Sequence, residues 1–304
     1  MFKNFEEMIQ QAKTSGKRRL VVAAADDEVV LKAVQVATEA GIVEPVLVGD
    51  QTKIDALAKT IGFTGYEVVD RPDPVEASQE AVRIVHNDPQ AVLMKGLVNT
   101  SVYLRAVLNR EYGLRDGRLL SLLAVYQIPG YHKLLFCTDS GVNVEPDLEQ
   151  KKAIVQNALG AMKRMGFQKP KGACLAANEL VDPKIRSTVD AAALAEMAKN
   201  GGLPDCILEG PVAFDVAFDP VAARHKGITS QVSGEVDLLV FPNMETGNAL
   251  GKSWLHFNQA QWGGIILGAT NPVVLGSRSD SVGNKLNSIA LACLAVNTDQ
   301  IGGN

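Results

Sequence analysis

The sequence predicts an α/β protein built on largely parallel sheets, and three observations lead to that fold class. Short apolar, β-branched runs alternate with longer segments whose apolar residues recur at helical spacing. These helical segments are long enough to connect parallel strands by crossovers. With 304 residues, 46% hydrophobic and 21% charged, the chain is long enough for two domains. We therefore expect sheets covered by helices on both faces.

The first third of the chain repeats a strand–loop–helix unit. Apolar residues at helical spacing between Phe2 and Ala12 predict an opening helix. Strands are predicted at 19–25, 45–50, 66–70 and 91–96. Helices are predicted over 28–40, up to residue 61, over 74–86 and over 101–109. Successive units of this kind favour parallel pairing with right-handed crossovers.

The middle of the chain interrupts this order with a hairpin. The strand-like runs 120–128 and 133–138 are separated by Pro129-Gly130-Tyr131-His132, a turn signal. Alternation then resumes, with helices predicted over 148–165 and 185–200 and strands at 172–177, 206–209, 238–242 and 264–268. We expect the hairpin to enter a second domain and Pro272 to mark the return. The predicted domains are therefore residues 1–119 plus 272–304, and residues 120–271.

The last strand ends in a markedly polar stretch. Pro272-Val273-Val274-Leu275 predicts a buried strand, and Gly-Ser-Arg-Ser-Asp-Ser follows it at 276–281, before a helix over 284–296. Ligands of open α/β sheets bind just beyond the carboxyl ends of strands. A hydroxyl, a guanidinium and helix N-terminal amides at that place suit phosphate or another anion. The alternative is a Ser or Asp helix cap beside a surface arginine.

Two further strand ends carry polar groups. After the strand at 91–96, the amide of Asn99 and the hydroxyl of Thr100 lie at a predicted helix start, and the guanidinium of Arg105 follows about one turn along the helix. This pattern predicts that the three groups bind one anion together. The alternative is a cap and a solvated face. After the strand at 238–242, polar residues and a glycine follow, for which the alternative is a turn with a cap. The residues concerned are Asn99, Thr100 and Arg105, and Asn243, Glu245 and Asn248.

Composition and missing motifs exclude several classes of function. A net charge of −4 without a basic tail disfavours nucleic acid, and no apolar run reaches membrane-spanning length. No glycine-rich dinucleotide fingerprint or Walker loop is present, and the four histidines lack metal-ligand spacing. The cysteines have no paired spacing, so we expect reduced, buried thiols in a cytoplasmic protein. They are Cys137, Cys174, Cys206 and Cys293.

Several motifs together resemble one known family. Leu-Met-Lys-Gly-Leu-Val-Asn-Thr at 93–100 and Val-Leu-Gly-Ser-Arg-Ser-Asp-Ser at 274–281 are the longest. Shorter similar runs lie at 113–121, 146–151, 209–211, 241–248 and 252–253. In this order, over nearly the whole chain, they are similar to phosphate butyryltransferases of the phosphate acetyl/butyryltransferase family. The resemblance implies two α/β domains with a cleft between them, like isocitrate and isopropylmalate dehydrogenases.

The resemblance also implies an activity. It is the reversible reaction acyl-CoA + phosphate ⇌ acyl phosphate + CoA, by direct attack in a ternary complex. The acyl group would be butyryl or branched-chain, coenzyme A would be a substrate, and no cofactor or metal would be permanently bound. A homodimer or higher homo-oligomer is expected, with no nucleic-acid or membrane partner.

The same resemblance suggests roles for individual residues. Phosphate would be held by Asn99 and Thr100 and by two arginines from opposite domains, Arg105 and Arg278. Arg278 would also stabilise the oxyanion, and Ser277 would donate a hydrogen bond to the CoA sulfur. In acetyltransferase relatives an aspartate is the proposed base for the CoA thiol. Here that region reads Gly283-Asn284, so the nearest carboxylate, Asp280, becomes the candidate base. The CoA-binding candidates are Asn243, Glu245 and Asn248.

Three alternatives remain open at this point. A phosphate acetyltransferase would differ only in acyl preference, which depends on a pocket that the sequence does not define. A metal-dependent dehydrogenase of similar fold is disfavoured because no cluster of aspartates is evident. A non-catalytic acyl-CoA-sensing module is disfavoured by the Ser277-Arg278 pair and by the absence of a partner domain.

Overall fold

The computed structural model describes residues 1–276 and 280–297, and their helices and strands alternate along the chain. The helices are α1 (Phe5–Thr14), α2 (Glu28–Glu39), α3 (Gln51–Ile61), α4 (Pro74–His86), α5 (Thr100–Val107), α6 (Leu148–Arg164), α7 (Arg186–Lys199), α8 (Phe214–Phe218), α9 (Pro220–His225), α10 (Met244–Phe257) and α11 (Val282–Ala295). The strands are β1 (Arg18–Ala23), β2 (Val43–Gly49), β3 (Glu67–Asp70), β4 (Val92–Lys95), β5 (Ser121–Gln127), β6 (Leu135–Thr138), β7 (Lys171–Leu175), β8 (Ile207–Val212), β9 (Leu238–Val240), β10 (Gln261–Leu267) and β11 (Val273–Val274). The fold is therefore mixed α/β.

The chain divides into two compact units. The first unit consists of Asn4–Arg118 and Trp262–Asn304, and the second of Met1–Lys3 and Leu119–Gln261. The predicted return at Pro272 differs from the second boundary, because β10 pairs antiparallel with β11 through Ile265 and Val274. This pairing places β10 with the first unit.

In the first unit the strands lie in the order β3-β2-β1-β4-β11-β10, and all but β10 run parallel. Leu20, Val21 and Val22 in β1 have no exposed surface, which is typical of a parallel strand covered on both faces. Aspartates start three of the helices, because Asp27, Asp50 and Asp73 each accept a backbone N–H in the first turn. These caps fix where the chain turns from strand to helix.

In the second unit the strand order is β5-β6-β9-β7-β8. The predicted hairpin is confirmed: β5 and β6 pair antiparallel, with Ala124 opposite Cys137. The remaining pairs are parallel. Asp147 and Gln150 form a capping box at the start of α6. The sequence patterns did not predict the helices α8, α9 and α10.

No helix in the described segments is long and apolar enough to span a lipid bilayer. All four cysteines are free; Cys206 is partly exposed and the others are buried. Burial raises the pKa of the Cys174 and Cys293 thiols to about 12.

Candidate active site

Three strands of the first unit end at the same edge of its sheet, and each leads into a helix. Ala23 at the end of β1 pairs with Lys95 at the end of β4, and Val274 in β11 pairs with Met94. The N-termini of α2, α5 and α11 follow these strand ends. Amides at helix N-termini favour anions, and strand ends of this kind bind ligands in open α/β sheets. We call this edge the first-unit edge.

The loops at the first-unit edge are packed tightly around Gly96. Its N–H donates to the Ala23 carbonyl at 2.8 Å, and the Leu97 N–H donates to the Ala24 carbonyl at 2.7 Å. A Cβ on Gly96 would lie 2.2 Å from the Ala24 oxygen. Ala24 itself has a φ of 52°, in the left-handed region. The loop after β4 therefore fits against the loop after β1 only without a side chain.

Replacement of Gly96 by alanine should lower the free energy of unfolding by about 2 kcal/mol, because the backbone contact must open. Chemical denaturation measures the change. A matched control is Gly160→Ala in the middle of α6, where the nearest atom to a new Cβ is 3.7 Å away. We expect that variant to be stabilised by about 0.5–1 kcal/mol. Equal effects at both positions would contradict the tight packing at Gly96.

The predicted phosphate-binding residues lie on α5. Asn99 is the N-cap residue, but its side chain makes no capping hydrogen bond, so the simple cap interpretation does not describe it. Asn99, Thr100 and Arg105 are all exposed. Arg105 lies about 140° around the helix from Thr100 and about 7.5 Å further along the axis. The amide and hydroxyl are thus adjacent at the helix start, and the guanidinium must reach back along the helix to meet them.

The predicted catalytic residues Ser277 and Arg278 lie outside the described residues. Their flanks are β11 and α11, both in the first unit, as is Arg105. The expectation that Arg105 and Arg278 come from opposite domains is therefore wrong. The reason is the pairing of β11 with β4, the strand that leads into α5.

Asp280, the predicted base, is already engaged by a neighbouring side chain. Its Oδ1 atom accepts a hydrogen bond of 3.2 Å from the Trp262 indole N–H. Its Oδ2 atom lies 3.4 Å from the position that a Cβ on Gly276 would take, and the Lys285 ammonium lies 3.2 Å from the same position. The structure therefore brings a carboxylate and an ammonium together at the first-unit edge.

Two buried lysines at this edge were not assigned a role from the sequence. Lys95 is 5% exposed and donates to the Gly96 carbonyl at 3.2 Å, and Lys285 is 4% exposed. Burial lowers the pKa of Lys285, while the carboxylates of Asp280 and Asp27 act in the opposite direction. One sequence signal could have found Lys285: it shares a helix face with Ile289 and Ala292, which are fully buried.

At the end of β9 in the second unit, the structure gives Asn243 a structural role. Its Oδ1 atom accepts hydrogen bonds from the Thr246 N–H at 3.0 Å and hydroxyl at 2.8 Å, so it caps α10. Its amide group donates to the Glu145 carboxylate at 2.9 Å. Glu245 and Asn248 are exposed in the first turns of α10, and the Asn248 amide lies 3.4 Å from the Ser140 carbonyl oxygen.

A buried aspartate, Asp139, stabilises the loop after β6. Asp139 is 3% exposed and accepts hydrogen bonds from the backbone N–H groups of Gly141, Val142 and Asn143 and from the Asn143 side chain. These bonds shape the loop after β6 that carries Glu145. Sequence reasoning missed Asp139, for which the only signal was its place at a strand end, in Thr-Asp-Ser-Gly at 138–141.

Replacement of Asn243 by alanine should lower the free energy of unfolding by about 1 kcal/mol, because α10 loses its cap. Asn243→Ser keeps a capping oxygen and should stay within about 0.5 kcal/mol of the wild type. Denaturant titration compares the two variants. If both were equally destabilised, the bond to Glu145, and not the cap, would carry the effect.

The chain is similar over most of its length to the proteins of one family. The family model described as Phosphate acetyl/butaryl transferase matches residues 4–80 and 64–293. The phosphate butyryltransferase of Clostridium beijerinckii is 42% identical over 296 residues, which cover 97% of this chain and 98% of that protein. The phosphate acetyltransferase of Rhizobium meliloti is 39% identical over 292 residues, covering 95% and 92%.

The fold of this chain is also similar to that of a solved structure. A branched-chain phosphotransacylase from Enterococcus faecalis V583 superposes with a TM-score of 0.82 at 30% sequence identity. The match covers 92% of this chain and 99% of that one.

Within the described residues, no three His, Cys, Asp or Glu side chains are grouped closely enough to hold a metal ion.

Proposed function

Because the chain belongs to the Phosphate acetyl/butaryl transferase family, we propose that it catalyses acyl-CoA + phosphate ⇌ acyl phosphate + CoA with a butyryl or branched short-chain acyl group. The observation that carries this proposal is the near full-length match to phosphate butyryltransferases. The similarity in fold to a branched-chain phosphotransacylase supports the same acyl class. Coenzyme A is then a substrate, and no cofactor is permanently bound.

The proposal extends to assembly and location. The two units would be α/β domains flanking a cleft, as in isocitrate and isopropylmalate dehydrogenases. The enzyme would act in the cytoplasm as a homodimer or higher homo-oligomer, without nucleic-acid or membrane partners. Four free cysteines support a reducing compartment.

The first-unit edge is the proposed phosphate site. A large fraction of inorganic phosphate is already a dianion near neutral pH, so it needs positioning more than activation. Thr100 and Asn99 would donate hydrogen bonds to it at the start of α5, where the helix amides add positive potential. Arg105 would reach back to the same anion, and Arg278 would complete the grip with a charge-assisted hydrogen bond.

Chemistry follows from that placement. A phosphate oxygen attacks the thioester carbonyl, and the oxyanion that forms needs a fixed donor, a role that we assign to Arg278. The C–S bond then breaks, the acyl group stays on phosphate, and the sulfur leaves as a thiolate that Ser277 hydrogen-bonds. In reverse, the CoA thiol must lose a proton, and Asp280 would belong to the group of side chains that handles it.

The second unit would hold coenzyme A. Asn243, Glu245 and Asn248 line the start of α10, and Asp139 fixes the neighbouring loop through its backbone hydrogen bonds. Asn243 can serve CoA only through the amide hydrogen that Glu145 does not use, since its oxygen caps the helix. Exposed Glu245 and Asn248 have fewer such constraints.

A thiol-release assay tests the proposed function. The purified chain is incubated with acetyl-, butyryl- or isobutyryl-CoA, with and without inorganic phosphate, and free CoA is measured. We expect release only with phosphate, fastest with butyryl- or isobutyryl-CoA. Preference for acetyl-CoA would make the chain a phosphate acetyltransferase. Binding of acyl-CoA without any phosphate-dependent release would point to a sensing module and would overturn the proposal.

A further inference from the structure

A buried lysine stands beside the proposed chemistry without a role in it. Lys285 lies in the first turn of α11, the helix that follows the strand end at β11. Its ammonium lies 3.2 Å from the position of a Cβ on Gly276, two residues beyond Val274. Val274 pairs with Met94, so the segment that leads to Gly276 leaves β11 beside the end of β4. Lys285 is thus at the first-unit edge, on the helix that follows the strand paired with β4.

The charges around Lys285 explain why a lysine is tolerated there. Asp280, in the segment before α11, and Asp27, at the start of α2, both lie close enough to affect its charge. Lys95, at the end of β4, is a second buried cation at this edge. The Lys285 side chain is therefore partly compensated by carboxylates and partly desolvated.

Asp280 is better suited to hold this lysine than to accept a proton. One carboxylate oxygen accepts the Trp262 indole N–H, and the other lies by the same point as the Lys285 ammonium. This arrangement leaves the proton of the CoA thiol to another group, and Lys285 is the titratable side chain beside Asp280.

Resting on the proposed function, we propose that Lys285 is a further catalytic residue, which exchanges a proton with the CoA sulfur while Asp280 positions it. As acyl phosphate forms, the C–S bond breaks, and the ammonium gives one proton to the departing thiolate. Hydrogen phosphate carries a proton that is released when it becomes acyl phosphate. The Lys285 amine takes up that proton and is an ammonium again. In reverse, the neutral amine takes the thiol proton as sulfur attacks the acyl phosphate.

The acid–base match between the two groups supports this role. A free thiol such as that of cysteine has a pKa of about 8.5, and an ordinary lysine about 10.4. Burial lowers the pKa of Lys285 and so narrows this difference. General acid–base catalysis is most efficient when the pKa of the catalytic group lies near the operating pH, and burial moves the pKa of Lys285 in that direction.

Replacing Lys285 tests the inference. Lys285→Met keeps most of the side-chain length and removes the amine, and Lys285→Arg keeps the charge but cannot release its proton. We expect both to lower kcat about 100-fold, with the KM for phosphate changed less than about threefold. Lys32→Met on α2, where Lys32 pairs with Glu28 at the surface, is the control and should keep wild-type kcat.

Amine rescue and pH dependence separate catalysis from structure. Ethylamine and more basic amines should restore part of the rate of Lys285→Ala in proportion to their basicity. Wild-type kcat for CoA and butyryl phosphate should rise with pH through the lysine titration, and Lys285→Arg should lose that limb. Thermal melts show whether each Lys285 variant is folded. If Lys285→Met and Lys285→Ala are unfolded, the pH profile of kcat for Lys285→Arg decides whether Lys285 exchanges a proton.

Several results would overturn the inference. A Lys285→Arg variant with kcat within about threefold of wild type would show that Lys285 supplies only a positive charge and exchanges no proton. A change confined to the KM for phosphate would make it a binding residue. Both results presuppose phosphate-dependent thiol release by the wild type. If the wild type itself shows no such release, the proposed function fails, and that outcome is distinct from a failure of the role of Lys285.

Discussion

Replacement of Arg278 by glutamine should lower kcat for phosphate-dependent CoA release about a thousandfold, the largest effect expected of any single substitution. Removing one preorganised oxyanion donor from an enzyme typically costs 10²–10³-fold in kcat. Arg278 is proposed to serve both the oxyanion and the bound phosphate, so we expect the upper end of that range. Steady-state rates with butyryl-CoA at saturating phosphate measure the change.

Arg278→Lys provides the matched comparison. A lysine keeps the positive charge but loses the planar, bidentate donor pattern of the guanidinium. We expect it to recover less than about a tenth of the lost rate. A lysine variant as active as the wild type would mean that charge alone suffices, and a fully active glutamine variant would remove Arg278 from the mechanism.

Replacement of Arg105 by glutamine should raise the KM for phosphate about 50-fold. A hydrogen bond to a charged group contributes about 1.5–3 kcal/mol, and tenfold in affinity corresponds to about 1.4 kcal/mol. The KM for butyryl-CoA should change little, because the proposed CoA residues lie on the second unit. Initial rates over a matrix of phosphate and butyryl-CoA concentrations separate the two constants.

A neighbouring arginine serves as the control for Arg105. Arg110 is also exposed and lies just beyond the end of α5. Arg110→Gln should leave both KM values within about twofold of wild type. If Arg105→Gln behaved in the same way, phosphate would be held elsewhere, and the first-unit edge would lose its assigned ligand.

Much of the scaffold could be predicted from the sequence because its signals are local. Continuous apolar runs such as Leu20-Val21-Val22 predict buried parallel strands, and Asp27 or Asp147 at a helix start predicts a cap. The turn at 129–132 predicts the hairpin of β5 and β6 in the same way. Each of these inferences needs only a few neighbouring residues.

The features missed in the site depend on contacts between distant parts of the chain. Trp262 and Asp280 meet only because β10 folds back beside β11. Asp139 has a role only through the backbone of the loop that it closes. The helix α10 was not predicted because the polar residues at its start, from Asn243, were interpreted as a candidate ligand site, with a turn and a cap as the alternative. Local pattern carries no information about such partners.

The proposed reaction also requires that phosphate attack the thioester directly, without an acyl-enzyme. Isotope exchange tests this most directly: labelled CoA is incubated with butyryl-CoA and the enzyme in the absence of phosphate. Direct attack predicts no label in butyryl-CoA until phosphate is added, and intersecting initial-rate lines when both substrates are varied. Rapid exchange without phosphate, together with parallel lines, would show an acyl-enzyme and would contradict direct attack at the first-unit edge.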